Sequence, residues 1–323
     1  MSQNQPSGIR NLLEIFRKGS AFVILILIAG GFAIMSTQFL TINNLLTVAL
    51  QTSIIALVGI GMTFTIITGG IDLSVGSVAA LCGALAAGLA TRNGLGTYPA
   101  ILIALMAGVA VGALNGAMVV YGRIPPFVAT LASMAIARGL TLVYTSGKPI
   151  SGIDKSFTFW ADSVLGIPVP LILLIVVAII AYVVLSHSAF GLHVFAIGGG
   201  EETARLATVP AKKVKMGVYM ISSLLAAVAG IILTARLWSA QPNSGTGLEL
   251  DAIAAAVLGG TSLAGGAGSI TGTIAGAFII GVLSNGLNLL EVPSYSQQVV
   301  KGLVFIFAVL LDYFLKRRMK ATV

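Results

Sequence analysis

Long apolar runs separated by short polar or glycine-rich stretches set the rhythm of this chain. A membrane-spanning helix needs about 20 largely apolar residues. On that measure the runs predict spans near 20–36, 45–67, 72–90, 98–120, 127–146, 168–186, 216–236, 252–265, 269–290 and 297–315. The expected fold is all-α, a polytopic integral membrane protein with about ten transmembrane helices in one domain over residues 1–323. The first and eighth runs are short, and little but glycine separates the eighth from the ninth, so eight to eleven crossings bound the count. Ahead of the first run, Ile9, Leu12, Leu13 and Phe16 share one helical face while Arg10, Glu14, Arg17 and Lys18 lie elsewhere. That spacing predicts an interfacial helix over 1–19. No small-residue cleavage pattern follows the first run, so it is read as a retained span rather than a secretory signal.

Composition agrees with the pattern. Hydrophobic residues make up 57% of the chain and charged residues 9%, against roughly 25% charge in soluble domains. The net charge of +8 is not laid out as a basic stripe with interleaved aromatics, which argues against a nucleic-acid partner. Basic residues instead orient the chain, because cytoplasmic loops collect Lys and Arg. Ten spans with the amino terminus inside place Arg10, Arg17, Lys18, Arg123, Arg205, Lys212, Lys213, Lys215, Lys316, Arg317, Arg318 and Lys320 on the cytoplasmic side, twelve of the eighteen basic residues. Both termini are then cytoplasmic. The connection 147–167 and the loop 237–250 fall outside. Cys82 is the only cysteine, which excludes a disulfide within the chain and a cysteine metal site.

Two glycine-rich interruptions share an order. Gly69-Gly70-Ile-Asp72-Leu73-Ser74-Val-Gly76 and Gly259-Gly260-Thr-Ser-Leu263-Ala-Gly-Gly266 both follow Gly-Gly-x-x-Leu-x-x-Gly, and Asn115-Gly116 with Pro125 is echoed by Asn285-Gly286 with Pro293. Two pseudo-repeated halves are expected. Glycine-broken hydrophobic segments at corresponding places in duplicated halves point to a transporter's substrate pathway.

Candidate chemistry gathers at the first interruption. Asp72 is the only acid between Glu14 and Asp154, and an ionisable group near membrane depth persists only where protein, water or a backbone terminus solvates it. It reads either as a helix cap supported by Ser74, or as a pathway contact beside Thr68. Arg138, in the middle of the fifth run, either faces a pore or pairs with an internal carbonyl or acid. Asn115, Asn285 and Asn288 either hydrogen-bond a neutral polyol or join helices to one another. No phosphate-cradling glycine loop with its lysine is present, and neither His187 nor His193 has a second ligand at metal spacing. An enzyme, a cofactor and a metal are therefore not expected. The few acids and histidines in the runs also weaken a proton relay.

One segment cannot lie in lipid. Within 198–215, Glu201, Glu202, Arg205, Lys212, Lys213 and Lys215 place six charges in fifteen residues. Glycines before it and Pro210 after it predict a short surface helix with Glu201 and Glu202 at its positive end. It reads as a docking handle or as a basic loop that only sets orientation.

These residues carry a resemblance. Thr-Ile-Asn-Asn-Leu (41–45), Gly-Met-Thr (61–63), Thr-Gly-Gly-Ile-Asp-Leu-Ser-Val-Gly-Ser (68–77), Ala-Arg-Leu-Trp-Ser-Ala-Gln-Pro (235–242), Gly-x-Glu-Leu-Asp-Ala-Ile-Ala-Ala (247–255) and Val-Leu-Gly-Gly-Thr-Ser-Leu-Ala-Gly-Gly (257–266) are similar to the permease subunit of bacterial ribose-type ABC importers. The likeness runs from about residue 20 to residue 313. Permeases for xylose, galactose, arabinose, other pentoses and autoinducer-2 carry similar stretches. The resemblance implies an inner-membrane subunit that pairs with itself or a close relative and moves a monosaccharide by alternating access. It further implies a separate cytoplasmic ABC ATPase and a soluble sugar-binding protein as partners, besides membrane lipid. Residues 198–215 would be the coupling loop, with Glu201, Ala204 and Leu206 at matching places and Glu202, Arg205 and Lys212 beside them. The family usually has Asn where Gly200 stands and Ser-Gly where Ala207-Thr208 stands. A passive or ion-coupled facilitator of small polyols is the competing reading.

Overall fold

The computed structural model describes the backbone of residues 7–320 and the side chains of 21–307 and 310. Its helices, in order, are α1 (Ser7–Met35), α2 (Ile42–Ile67), α3 (Val75–Thr91), α4 (Thr97–Val120), α5 (Pro126–Thr145), α6 (Lys155–Thr158), α7 (Val169–His187), α8 (Ala189–Gly199), α9 (Glu201–Leu206), α10 (Ala211–Arg236), α11 (Leu248–Leu258), α12 (Ile270–Leu289) and α13 (Ser294–Lys320). A two-residue antiparallel pair, β1 (Ser163–Val164) with β2 (Ile167–Pro168), decorates the connection before α7. The chain is all-α and polytopic. Six helices among the described residues are long and apolar enough to cross a membrane, α2, α4, α5, α7, α10 and α12, and each lies within five residues of its predicted run. Residues 7–19 form the start of α1. The predicted amphipathic face there falls on side chains outside the described residues.

Local chemistry sets the helix ends. Thr41 caps α2 by accepting from the Asn44 amide at 3.4 Å, Ser188 caps α8 through Gly191 at 3.1 Å, and Ser269 caps α12 through Gly272 at 3.1 Å. Proline opens α5 and α7, where its missing N–H costs nothing. Asp154 caps the short α6 at 2.8 Å from the Ser156 amide, and that hydrogen bond holds its carboxyl below the ordinary carboxylate value.

Two predicted segments differ. The eighth run, 252–265, is helical only as α11, from Leu248 to Leu258, and then turns at Gly259, Gly260 (φ +87°), Gly265 (φ +84°) and Gly266 (φ +74°). Eleven residues rise only about 16 Å, roughly half of a bilayer's hydrocarbon core. The surface helix also ends earlier than Pro210. Helix α9 stops at Leu206, Thr208 takes a left-handed φ of +63°, and Pro210 instead precedes the first residue of α10. Gly198 and Gly199 belong to α8, leaving Gly200 as the junction between α8 and α9.

Helix α10 lies at the centre, packed on α2, α3 and α4. It is buried along most of its length. On α4, Gly108, Gly112 and Gly116 turn a side-chain-free edge to α10: a Cβ at Gly112 would lie 2.7 Å from the Met220 Cα, and one at Gly116 3.0 Å from the Met216 Cα. Small residues at four-residue spacing let membrane helices approach this closely. Large apolar side chains point the other way, among them Leu102 and Met106 of α4, Ile136 and Val143 of α5, and Ile179 and Ile180 of α7. A helix facing hydrocarbon needs that surface.

Candidate functional site

The two glycine interruptions follow the ends of α2 and α11 and meet: the Gly266 amide donates to the Ile67 carbonyl at 2.9 Å. Their backbones turn differently, with positive φ on Gly69 (+78°) in the first and on Gly260 (+87°), Gly265 (+84°) and Gly266 (+74°) in the second. Only the first carries an acid.

Asp72 is fully buried, with 0% exposure. Its Oδ1 accepts from the Ser74 amide at 3.0 Å and the Ser74 hydroxyl at 2.6 Å, and its Oδ2 accepts from the Ser222 hydroxyl of α10 at 2.8 Å. Asn115 of α4 donates through Nδ2 to the Ser74 Oγ at 2.9 Å. Four segments are thereby tied: the end of α2, the start of α3, α4 and α10. No ion pair reaches Asp72 among the described residues. Three hydrogen bonds therefore meet the desolvation cost that burial of a carboxylate carries. Asn115 Oδ1, Tyr219 Oη and Ser223 Oγ are buried nearby on the same two helices without a protein partner. Chemically this is a side-chain turn over Leu73, just ahead of α3, and a cross-link at once, closed to solvent in this conformation; Ser74, the N-cap of α3, makes no side-chain cap bond.

The other expected residues lie elsewhere. Thr68 donates to the Thr65 carbonyl at 2.8 Å and closes the last turn of α2. Asn285 exchanges amide hydrogen bonds of 3.0 and 2.8 Å with Asn44 near the start of α2. Gly61 of α2 faces Ser222, so Asn44 is about 25 Å from the Asp72 level along the helix. Asn288 is exposed and accepts from Gln297 at 2.7 Å. Both asparagines join helices.

Arg138 is half-buried and donates through Nη1 to the Pro242 carbonyl at 2.7 Å and the Ser244 carbonyl at 3.0 Å. It holds the turn that leads into α11. On α11 stand two acids that sequence reasoning quoted in a motif but assigned to no site. Glu249 sits against Gly76 at the start of α3 and attracts the Arg138 guanidinium, while Asp251 pairs with Lys301 of α13 at 2.9 Å. Glu249 with Arg138 and Asp251 with Lys301 are two separate half-buried polar groupings, on different sides of α11, since residues two apart on a helix do not face each other. Ser222 was also missed, since a lone serine in an apolar run carries no signal. No cluster of three or more metal-ligating side chains occurs among the described residues.

At the α9 end, Glu201 pairs with Lys215, and Glu202 lies 3.8 Å from Arg205. Ala204 is buried and Leu206 is 78% exposed. The Lys212 ammonium lies 5.7 Å from the Tyr121 ring centroid, which places the α4 terminus at the same end. The helix thus buries one small side chain and presents charges with one large apolar residue outward.

A family described as branched-chain amino acid transport system / permease component matches residues 44–309. The chain is 46% identical over 319 residues to the ribose import permease protein RbsC of Escherichia coli (strain K12), covering 97% of this chain and 99% of that protein. It is 47% identical over 294 residues to the RbsC of Bacillus subtilis (strain 168), covering 90% of each. To the D-allose transport system permease protein AlsC of Escherichia coli (strain K12) it is 39% identical over 304 residues, covering 94% and 93%. No solved structure matches.

Proposed function

Because the chain belongs to the branched-chain amino acid transport system / permease component family, we propose that it is the membrane-spanning permease subunit of an ATP-driven importer for ribose. It is a transport component, not an enzyme. Near-full-length similarity at 46% identity to a ribose import permease carries this reading. The exposed α9 supports it, since a six-residue helix with Leu206 and charges outward is suited to a receiving groove on a separate ATPase. A soluble sugar-binding protein delivers substrate to the opposite end. Two copies of the chain, or one with a close relative, form one pathway in the bacterial inner membrane, with both termini and α9 cytoplasmic.

The pathway runs beside the entry to α11. Glu249 offers acceptors and the Arg138 guanidinium beside it offers donors, a mixture that suits the hydroxyls of a neutral sugar. Asp72, Ser74 and Asn115 hold the wall of that pathway in shape. Alternating access then moves the shorter helices α3 and α11 relative to the long helices.

Liposome uptake tests the whole reading. The chain reconstituted alone should pass no ribose, and addition of the ATPase, the binding protein and ATP should start uptake. Uptake by the chain alone, independent of ATP, would make it a facilitator. Uptake of allose or xylose in preference to ribose would reassign the substrate.

A further inference from the structure

The docking helix is not separated from the glycine breaks by side chains. Helix α9 joins α8 through Gly200, with the Ala204 amide bonded to the Gly200 carbonyl at 2.9 Å. Two residues back, Gly198 lies with its backbone directly on two others. A Cβ there would fall inside the envelopes of the Ile67 carbonyl oxygen and the Gly266 amide. The converse holds from the other side, where Cβ atoms on Gly265 and Gly266 would each lie 3.1 Å from the Gly198 carbonyl oxygen. The Gly266 amide closes the triangle on the Ile67 carbonyl. Five residues beyond Ile67 stands Asp72, and through it Ser222 in the centre of α10.

Side chains between two elements absorb small displacements by changing rotamer. Backbones in direct contact have no such slack, and closely packed contacts pass displacement on. Resting on the permease reading above, we infer that Gly198 is a positioning residue for energy coupling: movement of α9 by the ATPase is handed through the Gly198 backbone to both glycine breaks together. It touches neither sugar nor nucleotide. Its neighbour Gly199, in the same helix, has open space where a Cβ would be.

The test compares Gly198→Ala with Gly199→Ala in the full assembly in liposomes, reading ATPase co-purification, ATP hydrolysis and ribose uptake separately. A coupling of ordinary size corresponds to roughly a 5–150-fold change. Gly198→Ala should therefore retain the ATPase and its hydrolysis while ribose moved per ATP falls at least about fivefold. Gly199→Ala should behave as the parent. Should Gly198→Ala not fold, Gly266→Ala approaches the same joint with a smaller overlap. Gly260→Ala is its control, since it carries a similar positive φ (+87° against +74°) and meets no neighbour. Unchanged uptake per ATP in the joint variants overturns the inference, as does equal loss in the controls or loss of the ATPase itself. An unmutated assembly that neither binds an ATPase nor imports sugar defeats the permease reading instead.

Discussion

The Ser222 hydroxyl, half-way along α10, donates to the Asp72 carboxylate at 2.8 Å across 150 residues of sequence. It fastens the turn after α2 to the central helix at a depth where water does not compete. Removing the acceptor strands the Ser222 and Ser74 donors, and a buried unsatisfied polar group costs about 1–3 kcal/mol. Asp72→Ala should therefore destabilise the chain by about 2–4 kcal/mol, two stranded hydroxyl donors included. Asp72→Asn keeps an acceptor oxygen and should cost about half as much or less. Thermal unfolding in detergent reads both. Equal losses would mean that charge, not hydrogen-bond geometry, is what the fold needs.

Among the described residues no hydrogen bond or salt bridge fixes the Glu249 carboxylate, which attracts the Arg138 guanidinium without pairing with it, so on the proposed pathway it is free to accept from substrate. Glu249→Gln should leave the detergent melting behaviour within about 0.5 kcal/mol of the parent, as substitutions away from fixed networks do. Loss of one charged hydrogen bond to sugar, worth about 1.5–3 kcal/mol, should reduce ribose uptake by about tenfold or more. Arg138→Met should instead lower stability, since it frees the carbonyls of Pro242 and Ser244. Normal uptake in Glu249→Gln would move the pathway away from α11.

Charge reversal at Glu202 should act on docking alone. Glu202 and its neighbour Arg205 are solvent-exposed, so Glu202→Lys should fold with a stability change of about 0.5 kcal/mol or less, whereas Glu201→Lys would also break the pair with the mostly buried Lys215. Glu202→Lys should lose ATPase co-purification. Arg205→Glu and Leu206→Ala should weaken it too. Retention of the ATPase and of ATP-driven uptake in all of these would leave α9 as a loop that sets orientation only.

Two connections that the charge pattern assigns to the outer face are joined by backbone: the Ile150 amide reaches the Ala240 carbonyl at 3.0 Å, and the Ala240 amide returns at 2.9 Å. Cysteines placed at Asp154 and Asn243 should therefore react with an impermeant reagent from one and the same side. A cysteine at Lys212 should react only from the other. Opposite sides for 154 and 243 would break the topology.

Much of this architecture is legible because α2, α4, α5, α7, α10 and α12 are long apolar runs whose length has one interpretation. Helix α11 is not, since Leu263 and Ala264 beyond Gly-Gly-Thr-Ser extend the apolar run to 265. The helix stops at Leu258 and the glycine pair turns the chain, Gly260 at φ +87°. Asp72 stood out as a solitary acid with Ser74 beside it, while Asn115, a candidate on its own account, is brought to Ser74 only by the fold. Ser222 did not, because partnership across 150 residues leaves no local trace. Asn285 and Asn288 had the right chemistry for a sugar, yet Asn44 and Gln297 occupy them. Glu249 falls in the connection 237–250 and Asp251 just past it, ahead of the run 252–265, whereas α11 already starts at Leu248, after Gly247 turns at φ +83°.

The glycine edge of α4 acts as a caliper. Asn115 sits between Gly112 and Gly116, so the gap across that edge sets how far its amide must reach to the Ser74 hydroxyl, 2.9 Å away. One added methyl at either position pries α4 from Met216 or Met220 and opens the jaws at the polar end as well. A change that looks purely steric, on a face with no chemistry of its own, would thus be felt first as a lost hydrogen bond in the interior.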